Sequence, residues 1–145
     1  MARAPKFSPL AMCVAAATLI GTAAPAEAQS VDYAALRDDP EIENGVLIVA
    51  IGDMIQEACP SFEDRRARAI PFLLGLAGRA RDLGYTDDEI RAYIDDDTEK
   101  ARVRARAVQW FAQQGGSPDT PESICEIARA EIDAGSSIGR LIRER

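Results

Sequence analysis

The chain contains no histidine. That removes the commonest metal ligand and the commonest acid or base at neutral pH. Serine catalysis through a histidine base goes with it, and no G-x-S-x-G stretch occurs. There is no C-x-x-C-H run for haem attachment, and Gly115-Gly116 lacks the strand, lysine and spacing of a phosphate-binding loop. Cysteine is scarce, at three in 145 residues. Apolar runs are short. The longest, Leu10 to Ala24, is about 15 residues, and a spanning helix needs roughly 20. No later segment is apolar enough to cross a membrane.

What is present begins with a leader. Arg3 and Lys6 form a positive start, Leu10 to Ala24 an uncharged apolar region, and Ala26-Glu27-Ala28 an A-x-A cleavage site. Pro5, Pro9 and Pro25 suit a processed leader better than a stable helix. Cys13 precedes the apolar stretch, which excludes a lipoprotein order. Residues 1–28 are therefore expected to be a signal peptide, with the mature chain starting at Gln29 in the periplasm or outside the cell. Removing Arg3, Lys6 and Glu27 from 17 basic and 24 acidic residues leaves a net charge of −8. Such a surface repels nucleic acid and anionic lipid and favours solubility or a basic partner.

Cys59 and Cys125 remain after cleavage, in a compartment where thiols can pair. The alternatives are a reactive thiol or a metal pair. Neither C-x-x-C spacing nor a histidine supports those, so a structural bridge is expected. Closing a loop of 66 residues contributes roughly 4 kcal/mol in the chain-entropy model.

Residues 29–44 read as a polar N-terminal arm, loose or short-helical, with Asp38-Asp39-Pro40 as a breaker, ahead of a single helical domain, 45–145. From Val46 to Ala58, the residues Leu47, Ile51, Met54, Ile55 and Ala58 form one helical stripe. Gly52 weakens that helix or admits a close neighbour. Ser61 followed by Asp64 predicts a helix start, running to about Leu83, with Ile70, Leu73, Leu74, Leu76 and Ala80 among its apolar residues. Pro71 should kink it or shift its start, and Gly75 and Gly78 suggest a tight helix contact or a weak helix. Thr86-Asp87-Asp88-Glu89 is a capping box for a short helix with Ile90, Tyr93 and Ile94 on its apolar side.

The next predicted helix, Thr98 to Gln113, has Ala101, Ala105, Val108, Phe111 and Ala112 on one side, with Arg102, Arg104 and Arg106 between them as a solvated face. Thr120-Pro121-Glu122 starts another helix, which buries Ile124, Cys125, Ile127, Ala128 and Ile132 and ends at Gly135. Ile138, Leu141 and Ile142 belong to a last turn or two. No segment alternates with period two for long. The expected fold is all-α, a small bundle of five to six short helices tied by one disulfide.

Carboxylates are the only plentiful catalytic material. Asp87, Asp88, Glu89, Asp95, Asp96 and Asp97 cluster at the ends of one short helix. A calcium loop needs glycine at position six and glutamate at twelve. Counting from Asp95 gives Lys100 and Arg106, and from Asp39 gives Asn44 and Ala50, so both frames fail. Capping and the helix dipole account for these acids. No clear sugar-stacking surface marks a glycosidase, whose carboxylate spacing is in any case three-dimensional. No catalytic residue, metal or cofactor is assigned. Trp110 and Phe111 diverge by about 100° on a helix. Core packing is the first reading for both, and a partner contact the second. The arginines of Arg65-Arg66-Ala67-Arg68 read as solvated, or as facing an acidic partner.

Ile51-Gly52-Asp53-Met54-Ile55 leading to Cys59-Pro60-Ser61, then Gly84-Tyr85-Thr86, Glu122-Ser123-Ile124-Cys125, Arg129-Ala130-Glu131-Ile132 and Ser137 to Ile142, carry a resemblance. Over roughly 44–143 the chain resembles a family of small exported bacterial proteins known only as a domain of unknown function. The resemblance implies an exported helical fold with paired cysteines, and supplies no activity and no functional residues. The favoured reading is a non-catalytic interaction or accessory protein of the bacterial cell envelope whose partner is another envelope protein. The alternative is a small-ligand-binding protein or a carboxylate-dependent enzyme.

Overall fold

Asp39 and Pro40 set where the main helix begins. In the computed structural model, which describes residues 31–145, the Asp39 carboxylate accepts from the N–H groups of Glu41 and Ile42 at 3.1 and 3.0 Å. Pro40 takes the first helical position, where a missing N–H costs nothing. Helix α2 therefore runs Pro40–Ala58 rather than from Val46, and a short helix α1, Ala34–Asp38, precedes it. Over its described part the expected arm is short-helical, and it packs onto the body: Leu36 and Ile42 are buried, and the main helix begins inside it at Pro40. The expected leader and its cleavage point lie outside the described residues.

The elements that follow are β1 (Phe62–Asp64), α3 (Arg66–Asp82), α4 (Asp87–Asp95), α5 (Asp97–Gln113), α6 (Pro121–Ala134) and β2 (Ile142–Glu144). The fold is all-helical, with six helices among the described residues and one small antiparallel sheet, Phe62 opposite Glu144 and Asp64 opposite Ile142. That sheet replaces the helix start expected at Ser61 and takes Ile142 out of the expected last turn, which forms just before it: Ser136 Oγ accepts from the Gly139 N–H at 2.9 Å, and the Arg140 N–H donates to the Ser136 carbonyl at 3.0 Å. Three residues per strand are too few for alternation to stand out in a sequence. Helix α3 starts at Arg66 with no side-chain cap, and Pro71 lies inside it.

The α4 box forms in both directions. Thr86 Oγ1 accepts from the Glu89 N–H at 3.3 Å, and Glu89 accepts from the Thr86 N–H at 2.8 Å. Asp96 caps α5 through the Glu99 N–H at 2.9 Å. The face of α5 differs from expectation. Its buried line is Glu99, Val103, Ala107 and Phe111, while Ala101, Ala105 and Ala112 face solvent. Alanine buries too little area to fix the phase of a helix, so the larger residues decide it. Ile94 of α4 is likewise exposed.

Two buried clusters share α2. One gathers Ile51, Met54, Ile55, Phe62, Phe111 and Ile124 around the Cys59–Cys125 disulfide, whose Cα atoms are 5.8 Å apart. The other joins Leu36, Ile42, Ala80, Ile90 and Tyr93, with Tyr33 packed between Tyr85 and Tyr93 at ring-centroid distances of 6.1 and 5.1 Å. A Cβ at Gly52, Gly75 or Gly78 would meet no neighbouring atom within 4 Å, so none of the three marks a tight helix contact. The close approaches lie elsewhere. A side chain on Gly139 would meet the Glu131 carbonyl oxygen at 1.9 Å, so only glycine lets the C-terminal turn seat on α6.

Candidate functional site

The acids singled out in the sequence do structural work. Asp87 and Asp88 make exposed ion pairs with Arg81 and Arg91, both at 2.7 Å, Glu89 and Asp96 are in caps, and Asp95 and Asp97 are exposed. Among the described residues no group of three or more histidine, cysteine, aspartate or glutamate side chains could hold a metal ion. The Cys59 and Cys125 sulfurs are bonded to each other at 2.05 Å.

Three other acids carry long-range pairs: Asp39 and Glu99, which are buried, and Glu43, which is half-buried. Asp39 accepts from Arg79 Nε at 2.9 Å in addition to its two backbone bonds. Arg79, and then the Ile42 N–H, hold its carboxyl below the ordinary range. Glu99 accepts from Arg102 Nε at 2.9 Å and pairs with Arg37. Burial pushes its carboxyl up, and the bonds from Arg102 and Arg37 outweigh that, leaving it lowered. Glu43 binds Arg102 through both oxygens and pairs with Arg106. The Tyr93 hydroxyl accepts from Arg102 at 3.2 Å. The expected solvated arginine face of α5 is thus corrected: Arg102 and Arg106 reach Glu43 on α2, and Arg104 pairs with Glu57. With their oxygens taken up by guanidiniums, Glu43 and Glu99 clamp α1, α2, α4 and α5 to one another.

Phe111 is 0% exposed, which removes it as a partner contact. Trp110 is half-buried against the same cluster, with its ring edge-on to Phe111 at 5.1 Å. Of the five large apolar residues that face solvent among the described residues, Val31 and Ile94 stand apart and three lie together on α3. Ile70, Leu73 and Leu74, expected inside, are 55%, 48% and 62% exposed. Their spacing, i, i+3, i+4, makes one stripe in a stretch, Ala69 to Gly78, with no charged residue.

A second surface feature is a groove of about 480 Å³ between α3 and the turn before β2. Arg68, Phe72, Ser137, Arg140 and Leu141 line it. Its two sides are tied together, since the Arg65 N–H donates to the Leu141 carbonyl at 2.7 Å.

No helix among the described residues is long and apolar enough to cross a membrane. No curated protein and no solved structure matches the chain. A family model does match, over residues 34–143, and the match takes in all six described helices and both bonded cysteines. By that match the chain belongs to DUF5333, a family of unknown function.

Proposed function

We propose that the protein is an exported, non-catalytic accessory protein of the bacterial cell envelope that works by presenting a surface to another envelope protein. The observation that carries this is the α3 stripe. A packed domain that leaves Ile70, Leu73 and Leu74 in water keeps an apolar surface that its own fold does not use, and contiguous exposed patches of this kind mark interaction sites. Export is supported by the leader-like sequence before Gln29 and by the Cys59–Cys125 bridge, which suits an oxidising compartment. A carboxylate-dependent enzyme has no comparable support, because the buried acids are spent on arginines.

A photo-crosslinking residue at position 74, expressed in the native host, tests the surface. A discrete adduct with one envelope protein is expected at Leu74 and not at the exposed Glu126 of α6. Equal labelling at both positions, or none at Leu74 in an exported and folded chain, overturns the reading. Mass spectrometry of the native protein tests export: an N-terminus at Gln29 is expected, and an intact cytoplasmic chain overturns that half.

A further inference from the structure

The described basic residues of this acidic protein are almost all spoken for. Lys100 and every described arginine but four lie within salt-bridge distance of a carboxylate. The four without a partner among the described residues are Arg65, Arg66, Arg68 and Arg140. Arg65, Arg66 and Arg68 stand together at the start of α3, and Arg140, 72 residues after Arg68, lies on the C-terminal turn beside it. Two of them, Arg68 and Arg140, line the groove.

Charge and shape therefore converge on one place. The groove's volume falls in the range of small-molecule sites, roughly 300–1,000 Å³. Phe72 and Leu141 supply apolar wall, and the Ser137 hydroxyl, without a hydrogen-bond partner among the described residues, supplies a neutral donor. Guanidiniums suit oxyanions because their donors form a planar fork that matches carboxylate and phosphate. Over a chain with a net charge of −8 from Gln29 onward, a cluster of unpaired arginines is where an anion is best received among the described residues. The walls are fixed before any ligand arrives: the β1–β2 pairing and the bond from Arg65 to Leu141 hold one side to the other, and Gly139 seats the turn on α6. A site held in shape loses less on binding.

We propose that this groove binds an organic anion, a carboxylate or phosphate head held by Arg68, Arg140 and Ser137, with an apolar body against Phe72 and Leu141. The proposal is independent of the partner surface on α3. Two sources can present such a head, a free acyl anion or the C-terminal carboxylate of an apolar peptide, and the test separates them.

The purified full chain, isotopically labelled, is titrated by NMR with octanoate and octyl phosphate, and separately with N-acetyl-phenylalanyl-leucine as its free acid. Octanol and the peptide amide are the neutral counterparts. Saturable shifts at Arg68, Phe72, Ser137, Arg140 and Leu141 are expected for at least one anion, at least about tenfold tighter than its neutral counterpart, the scale of a lost charge-assisted hydrogen bond. Binding by octanoate or octyl phosphate assigns the acyl source, and binding by the peptide acid alone assigns the peptide source. The double variant Arg68→Gln/Arg140→Gln should keep its melting curve, since neither side chain has a partner among the described residues, and should lose at least about tenfold in affinity. No saturable binding by any anion, equal binding of the neutral counterparts, or unchanged affinity in the folded double variant overturns the proposal.

Discussion

Around Ile55 and Phe111 the protein is held by apolar packing and a covalent bond. Around Leu36 and Tyr93 it is held by aromatic contacts and a ring of carboxylate–guanidinium pairs. Helix α2 runs through both, giving Ile51, Met54 and Ile55 to the first and Ile42 and Glu43 to the second. The first kind of contact tolerates small displacements and any pH. The second depends on geometry and on charge. Each region therefore has its own reagent, a reductant for one and acid for the other, and the question the comparison raises is whether α2 makes them fail together.

The largest effect is expected at the disulfide. Replacing both Cys59 and Cys125 with serine frees a 66-residue loop in the unfolded chain and should cost about 4 kcal/mol, with measured values often smaller. Denaturant unfolding reads the loss. Amide exchange reads its location: opening should rise first in α6 and the β1–β2 sheet, and least in α1 and α4. An equal rise at both ends would show that α2 welds the two regions into a single cooperative unit.

Arg102→Met attacks the other region by leaving Glu43 and Glu99 short of a partner. A fully buried pair would cost about 3–5 kcal/mol to break. The Arg102 side chain is 31% exposed, and screening lowers the expectation to about 2 kcal/mol. Here the exchange pattern should reverse, with α1 and α4 loosening and α6 unchanged.

Much of the first region was legible in the chain. The cysteine pair, the Thr120-Pro121 start and the Ile124/Ala128 face are local or compositional signals, and the structure carries all three. The second region was hidden, because its links are long-range charges. Arg37 and Glu99 are 62 residues apart, Glu43 and Arg102 are 59 apart, and nothing local to α5 says that Glu99 points inward. Asp39-Pro40 carried a readable cap and first-position proline, yet the same residues also read as a breaker. The candidate surfaces were opaque for two other reasons. Apolar residues on α3 imply burial unless one knows that no element covers them. The groove needs Arg68 and Arg140 brought together by a sheet of three-residue strands.

Acid sharpens the contrast with a smaller effect than loss of Arg102, since protonation removes one charge and leaves the rest of the network. Asp39 and Glu99 both titrate below their ordinary values in the fold. The folded state then binds fewer protons than the unfolded one. The stability they contribute is complete above the ordinary values of 3.8 and 4.5 and is lost as pH falls through the lower folded values. Unfolding followed between pH 6 and 2 should weaken only in the lower half of that range. The loss should persist with the disulfide reduced, and Glu99→Gln should flatten part of it. A curve unchanged by Glu99→Gln would place the acid response outside this network.

The smallest effect is expected at Thr86, where neither an apolar core nor a buried charge is touched. The box there joins exposed groups: Thr86 Oγ1 takes the Glu89 N–H, and Glu89 returns to the Thr86 N–H. Thr86→Ala removes half of it and should cost about 1 kcal/mol. Yet α4 carries Ile90 and Tyr93, two buried members of the second region, and nothing of the first. Fraying at its start should therefore speed exchange along α4 and at the Tyr33–Tyr93 contact, while α6 amides stay as protected as before. If the α6 amides loosen by the same factor, a local cap is coupled through α2 to the whole molecule, and the two regions are one.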